Sequence, residues 1–124
     1  MGKSFKDLIV WQRAIELTVA VYKLSSQFPD TERFGLTNQM RRAAVSIASN
    51  IAEGYGKSLK GEYLLFLGHA RGSCAEIETQ LVIARELGFG SLALIDSAHS
   101  LADEVGKMLV ALMKSLQRAK PLST

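Results

Sequence analysis

Residues 39–56 read QMRRAAVSIASNIAEGYG, two arginines followed by a run of Ala, Ser, Val and Ile with little bulk. Placed on a wheel at ~100° per residue, Met40, Ala43, Ala44, Ile47 and Ile51, with Leu36 just upstream, fall on one side and predict a core face. Arg42, Ser46, Ser49 and Glu53 form a polar strip, and Arg41, Val45, Ala48 and Ala52 a third. Small side chains let helix axes approach toward the near end of the ~8–10 Å range. The stretch therefore predicts a helix over about residues 36–53 that is crowded on more than one side. Asn50, beside the core face, is expected to satisfy a backbone group or a neighbouring helix. Gly54 is expected to end the helix with a positive φ.

Working outward, apolar spacing predicts three more helices. The first covers about residues 8–27, with Asp7 as its N-cap and Phe28-Pro29 as its stop. It carries two apolar lines, Val10, Ala14, Leu17, Val21, Leu24 and Leu8, Trp11, Ile15, Thr18 or Val19, Tyr22, leaving Gln12, Arg13, Glu16 and Lys23 as its wet strip. The third covers about residues 59–87, with Ser58 a candidate N-cap and Gly88 the stop. Tyr63, Leu67, Ala70, Cys74, Ile77, Leu81 and Ala84 step by four and three, a heptad seam. The fourth covers about residues 92–118, before Pro121, with a seam at Leu94, Ala98, Leu101, Val105, Met108, Leu112 and Leu116. The fold class expected is all-α: one domain over residues 1–124, an antiparallel up-down-up-down four-helix bundle.

Composition supports this. Hydrophobic residues make up 48% and charged residues 22%, a globular balance, and the two prolines suit a mostly helical chain. No secretory leader and no apolar run of ~18 residues is evident. The single cysteine, Cys74, forbids an intrachain disulfide. A reducing cytoplasm is the expected location, with no membrane association. A bundle of this size needs one apolar stripe per helix, and the first two helices carry nearly two. Surplus apolar surface on a soluble chain finds a subunit partner, so a homo-oligomer is expected.

Catalytic motifs fail on inspection. Glu53-Gly54-Tyr55-Gly56-Lys57-Ser58 lacks the first glycine of a P-loop, a position filled by Ile51. It fails as G-x-G-x-x-G because Leu59 takes the last glycine position. Asp96-x-x-His99 is half of a di-iron pattern without its other half, and His69 and His99 are expected to be solvated. Cys74 lies in the seam and is expected to be inert; Glu78 is expected to pair with an arginine of the second helix. No catalytic, metal-binding or cofactor-binding residues are expected, and no enzyme. Residues 1–60 hold nine Lys/Arg against five Asp/Glu, and residues 61–124 six against seven. Such a basic half can hold phosphates without reading sequence. Arg41, Arg42, Lys57 and Lys60 are the candidate nucleic-acid contacts, with Tyr55 the exposed aromatic candidate.

DLIVWQRAIEL, FPDTERFGLTNQMRRAAVSIASNIAEGYGK and EYLLFLGHARGSCAEIETQLVIARELGF resemble the four-helix-bundle family named after 23S rRNA intervening sequences. That family includes the accessory variability proteins of diversity-generating retroelements. The likeness covers roughly residues 7–89, and Gln39-x-Arg41-Arg42-Ala43-Ala44 and Asn50-Ile51-Ala52-Glu53-Gly54 are its specific blocks. It implies assembly as a homopentamer and basic surfaces. For the accessory proteins it implies binding to nucleic acid, RNA or DNA, and to a reverse transcriptase. Many relatives carry proline where this chain has Ala48, a change expected to straighten the second helix. The alternative expectation is a protein-interaction scaffold, or accessory subunit, without direct nucleic-acid contact.

Overall fold

The computed structural model describes residues 3–118. Four helices follow in order: α1 (Ile9–Ser25), α2 (Leu36–Tyr55), α3 (Lys60–Leu87) and α4 (Leu92–Arg118). Short 3-10 turns at Phe5–Asp7 and Asp30–Glu32 precede α1 and α2. Each helix packs on the two neighbours of a square: α1 on α2 and α4, α3 on α2 and α4, and neither diagonal pair meets. With short connections, this is an antiparallel four-helix bundle. Pro121 lies outside the described residues.

The core face of α2 is as the wheel predicts. Met40, Ala43, Ala44, Ile47 and Ile51 are buried, against Leu17, Val21 and Leu24 of α1 and Leu67, Ala70 and Ile77 of α3 in one cluster. The helix runs unbroken past Ala48. The heptad seam of α3 is buried from Leu67 to Ala84.

The seam of α4 is rotated from the expected one. Its buried line is Ile95, Ala98, Ala102, Val105 and Leu109, while Leu94, Leu101, Met108 and Leu112 are half-buried beside it. Leu94 and Leu101 line the α1–α4 groove together with Ile15, Val19 and Ala20. α3 comes close at small Ala102, whose carbonyl accepts from the Cys74 thiol at 3.1 Å.

Three terminus expectations are corrected. Asp7 does not cap α1. Its carboxylate accepts from the Ser4 backbone N–H (3.0 Å) and so closes the preceding 3-10 turn. Ser58 does not cap α3, whose N-cap position is Leu59, with no side-chain cap. Gly54 does not end α2 with a positive φ, since the helix continues to Tyr55 and ends at Gly56 with φ −80°. Gly54 is buried instead. A Cβ there would come within 2.8 Å of Phe66 Cβ and 3.1 Å of a Tyr63 ring carbon. The glycine is needed for close approach of α3, so that a four-residue turn reverses the chain.

At the opposite end Gly88 does take the left-handed conformation that stops α3, with φ 72°. Gly90 follows with φ 78°, and a Cβ on it would meet Leu24 at 2.6 Å. The Phe28 and Phe89 rings lie 5.7 Å apart, and Gln27 Oε1 accepts from Ser91 N–H at 2.7 Å. These contacts pin the α3–α4 turn to the end of α1.

Gly54→Ala should therefore destabilise the chain by about 1–3 kcal/mol in urea denaturation, the range for overpacking a closed site. Gly56→Ala, where an added Cβ meets nothing nearer than 3.6 Å, should change stability by less than about 1 kcal/mol in the same measurement.

Candidate nucleic-acid interface

Three cross-helix contacts fix the register of the bundle. Thr18 Oγ1, which donates to Ala14 O of its own helix (2.8 Å), lies 3.2 Å from Ala44 O, the Ser46 and Ser73 hydroxyls lie 2.9 Å apart, and Arg13 Nε donates to Glu104 (3.0 Å). Counting from these pairs at ~1.5 Å per residue, the start of α1, the α2–α3 turn and the last turns of α4 reach the same end. Lys3, Lys6, Lys57, Lys60, Lys114 and Arg118 are thus gathered there, all exposed. Their acidic company is Asp7, Glu53 and Glu62. The opposite end carries Asp30, Glu32, Glu86 and Asp96 beside Lys23, Arg33 and Arg85, with Arg85 paired to Asp96. Among the described residues, the molecule has one distinctly basic end.

The four candidate contacts divide in this frame. Lys57 and Lys60 flank the α2–α3 turn at the basic end, and Lys57 Nζ lies 5.1 Å from the centre of the Phe66 ring. Arg41 is committed inside the chain. Its Nε donates to Ser25 Oγ (2.8 Å), and its guanidinium stacks 4.6 Å over the Tyr22 ring, strapping α2 to the end of α1. Arg42 is exposed partway along the bundle. It lies in an α2–α3 groove of about 330 Å³ with Gln39, Ser46, Ser73 and Glu76. About 22 Å of helix separate it from Lys57. Lys114 and Arg118 escape a reading of local sequence, because only the antiparallel topology brings the end of α4 to the same end of the bundle as Lys57. Arg13, though basic, is held by Glu104 and Glu16. Those hydrogen bonds, Glu104's first, raise its pKa.

The aromatic expectation shifts. Tyr55 is half-buried and packs edge-on against Tyr63, ring centres 6.1 Å apart. The exposed rings are Tyr22 and Phe34, the latter 83% exposed beneath Arg33. Asn50 donates to Ser46 O (2.8 Å) and Ser46 Oγ (2.9 Å), the backbone role expected of it.

Glu78 is not near the α2 arginines. It lines an α3–α4 groove with Arg71, Cys74, Asp103, Gly106 and Lys107, because its register on α3 faces α4. Cys74 is 2% exposed and its thiol donates to Ala102 O at 3.1 Å. Burial, with Glu78 adding to it, pushes its pKa from 9.0 to about 11. His69 and His99 are exposed. Among the described residues no group of three His, Cys, Asp or Glu could hold a metal ion, and no helix is long and apolar enough to cross a membrane.

Residues 6–111 match the family described as 23S rRNA-intervening sequence protein. The chain belongs to that family. A crystal structure of a protein of unknown function from the S23 ribosomal protein family of Bacteroides thetaiotaomicron is similar in fold. The TM-score is 0.79 at 20% identity over 86% of this chain and 99% of that one. At that identity the likeness carries the bundle alone. No curated protein matches the chain.

An unfolded Cys74 thiol ionises near 9.0, whereas the folded one stays neutral to about 11. Stability should thus be full below pH 9 and fall as pH rises toward 11, by on the order of 2 kcal/mol. Urea midpoints compared between wild type and Cys74→Ala check this, since the variant should lose that part of the alkaline decline.

Proposed function

We propose that this protein is a non-enzymatic, cytoplasmic homo-oligomer, a pentamer by family likeness, that binds RNA or DNA through the phosphates. Lys57 and Lys60 are its central contacts, joined by Lys3, Lys6, Lys114 and Arg118. The observation that carries this reading is the gathering of these six exposed cations at one end of the bundle. Arg42 takes a peripheral part, and Arg41 contributes by holding α2 in place. The α1–α2 face supports the oligomer: Ile15, Val19, Tyr22 and Val45 are exposed beside half-buried Trp11. Repetition of the basic end around a symmetry axis would turn weak single-chain binding into avidity. The same apolar face favours a second reading, a scaffold for a partner protein such as a reverse transcriptase.

Titration of structured RNA and duplex DNA by fluorescence anisotropy separates the two. Affinity should fall steeply with salt, and Lys57→Ala/Lys60→Ala should flatten the slope of log K against log salt by about two per protomer engaged. Arg42→Ala should weaken binding less. Absent binding at low salt, or affinity unchanged by salt, would sink the phosphate reading and leave the scaffold.

A further inference from the structure

Phe66 is an aromatic residue that the core does not use. Its Cβ packs against Gly54 of α2, with no room for a methyl group between them. Yet the ring belongs neither to the buried cluster nor to the half-buried residues packed on it. It sits half-buried at the α2–α3 boundary, with Lys57 Nζ 5.1 Å from the ring centre. His69, exposed and one turn further along α3, meets the ring edge-on, centres 5.9 Å apart at 79°. An exposed ammonium gains little from a ring face, and lysine carries it on a flexible stem. Lys57 is therefore a movable cover over an aromatic surface.

The charges around this ring are the second observation. Lys57 covers it from the α2–α3 turn, and Lys60 opens α3 a few residues on. Glu62, four residues before Phe66, sets a carboxylate on the same side of the helix. Phosphate attraction is partly offset there, so a contact to the base itself has more to add. Proteins that hold single strands combine these two parts, a cationic track for the backbone and rings on which bases stack. In a duplex the base faces are already stacked on one another and are not offered to a ring.

We propose that the face of the Phe66 ring covered by Lys57 receives an unpaired base of single-stranded nucleic acid. This rests on the phosphate-binding reading above and names the form of nucleic acid that the basic end takes. Lys57 leaves the ring for a phosphate of the same strand, and the base takes its place. His69, edge-on to Phe66, walls the stacked base on the side away from the turn. Every base has a π-face, so the contact tolerates any sequence while rejecting a paired base.

Fluorescence anisotropy with the full chain tests this, using oligo-dT, oligo-U and an abasic strand of equal phosphate count, about 12 each, and a duplex DNA. Both base-bearing strands should bind wild type about 5- to 150-fold tighter than the abasic strand, the range for one base on one ring. Phe66→Leu should remove that ratio and leave abasic and duplex binding unchanged, while Phe66→Tyr, which keeps the ring, should keep it. Lys57→Ala should weaken every probe yet retain the ratio, because it takes away a charge and uncovers the ring. Far-UV circular dichroism checks that each variant folds; should Phe66→Leu fail, the abasic comparison in wild type and Lys57→Ala still decides. Equal binding of base-bearing and abasic strands overturns the stacking and leaves the phosphate reading standing. A ratio that survives Phe66→Leu overturns the assignment to this ring. Absent binding of every probe at low salt overturns the phosphate reading itself, and this inference with it.

Discussion

The bundle depends on how closely α2 approaches its two neighbours. Ala43, Ala44 and Ala48 are buried along it, and Gly54 lies against the first turns of α3 with no room for a methyl group. That closeness lets residues 56–59 reverse the chain at once, so that α3 starts beside the end of α2. It also sets the α2–α3 register, which the Ser46–Ser73 contact then holds with help from Asn50. A bulkier α2 would splay α3 outward and pull Lys57 and Lys60 away from the termini of α1 and α4. The packing of one small-residue helix and the placing of the basic end are the same constraint seen from two sides.

Charge is distributed so that the fold and the basic end make separate demands. Arg13, Arg41 and Arg85 are occupied in holding elements together, through Glu104, Ser25 and Asp96 respectively. The cations at the basic end are lysines, apart from Arg118, on exposed turns and helix ends. Lysine is a flexible point charge, suited to tracking phosphates rather than gripping one in a fixed fork. A nucleic acid held by such a surface would be held by charge and shape, with little discrimination among bases.

Much of the fold is legible in the sequence. The wheel over residues 39–56 yields the buried face of α2, and the four-three steps from Leu67 to Ala84 yield that of α3. In α4 the expected seam shares Ala98 and Val105 with the buried line but takes Leu101 and Met108 in place of Ala102 and Leu109, because large side chains mark a seam in sequence whereas small Ala102 is the residue that meets Cys74 of α3. Helix ends are read less well, since Asp7, Ser58 and Gly54 are residues typical of caps that serve other geometry here. For the candidate site, Lys57 and Lys60 are visible as neighbours in sequence. Lys114 and Arg118 reach the same end of the bundle only once four helices alternate in direction. Arg41 looks like Arg42 in the sequence, and only the position of Ser25 and Tyr22 shows that the two have different work.

The alternation of helix directions has an electrical consequence. At the basic end the amino termini of α1 and α3 and the carboxyl termini of α2 and α4 sit side by side, so their macrodipoles largely cancel. The potential there comes almost wholly from side chains on exposed positions. Its strength can then rise or fall by exchanging single lysines, with the interior indifferent to the change. Exchanging those lysines would change the attraction of this end for a polyanion while leaving the architecture as it is.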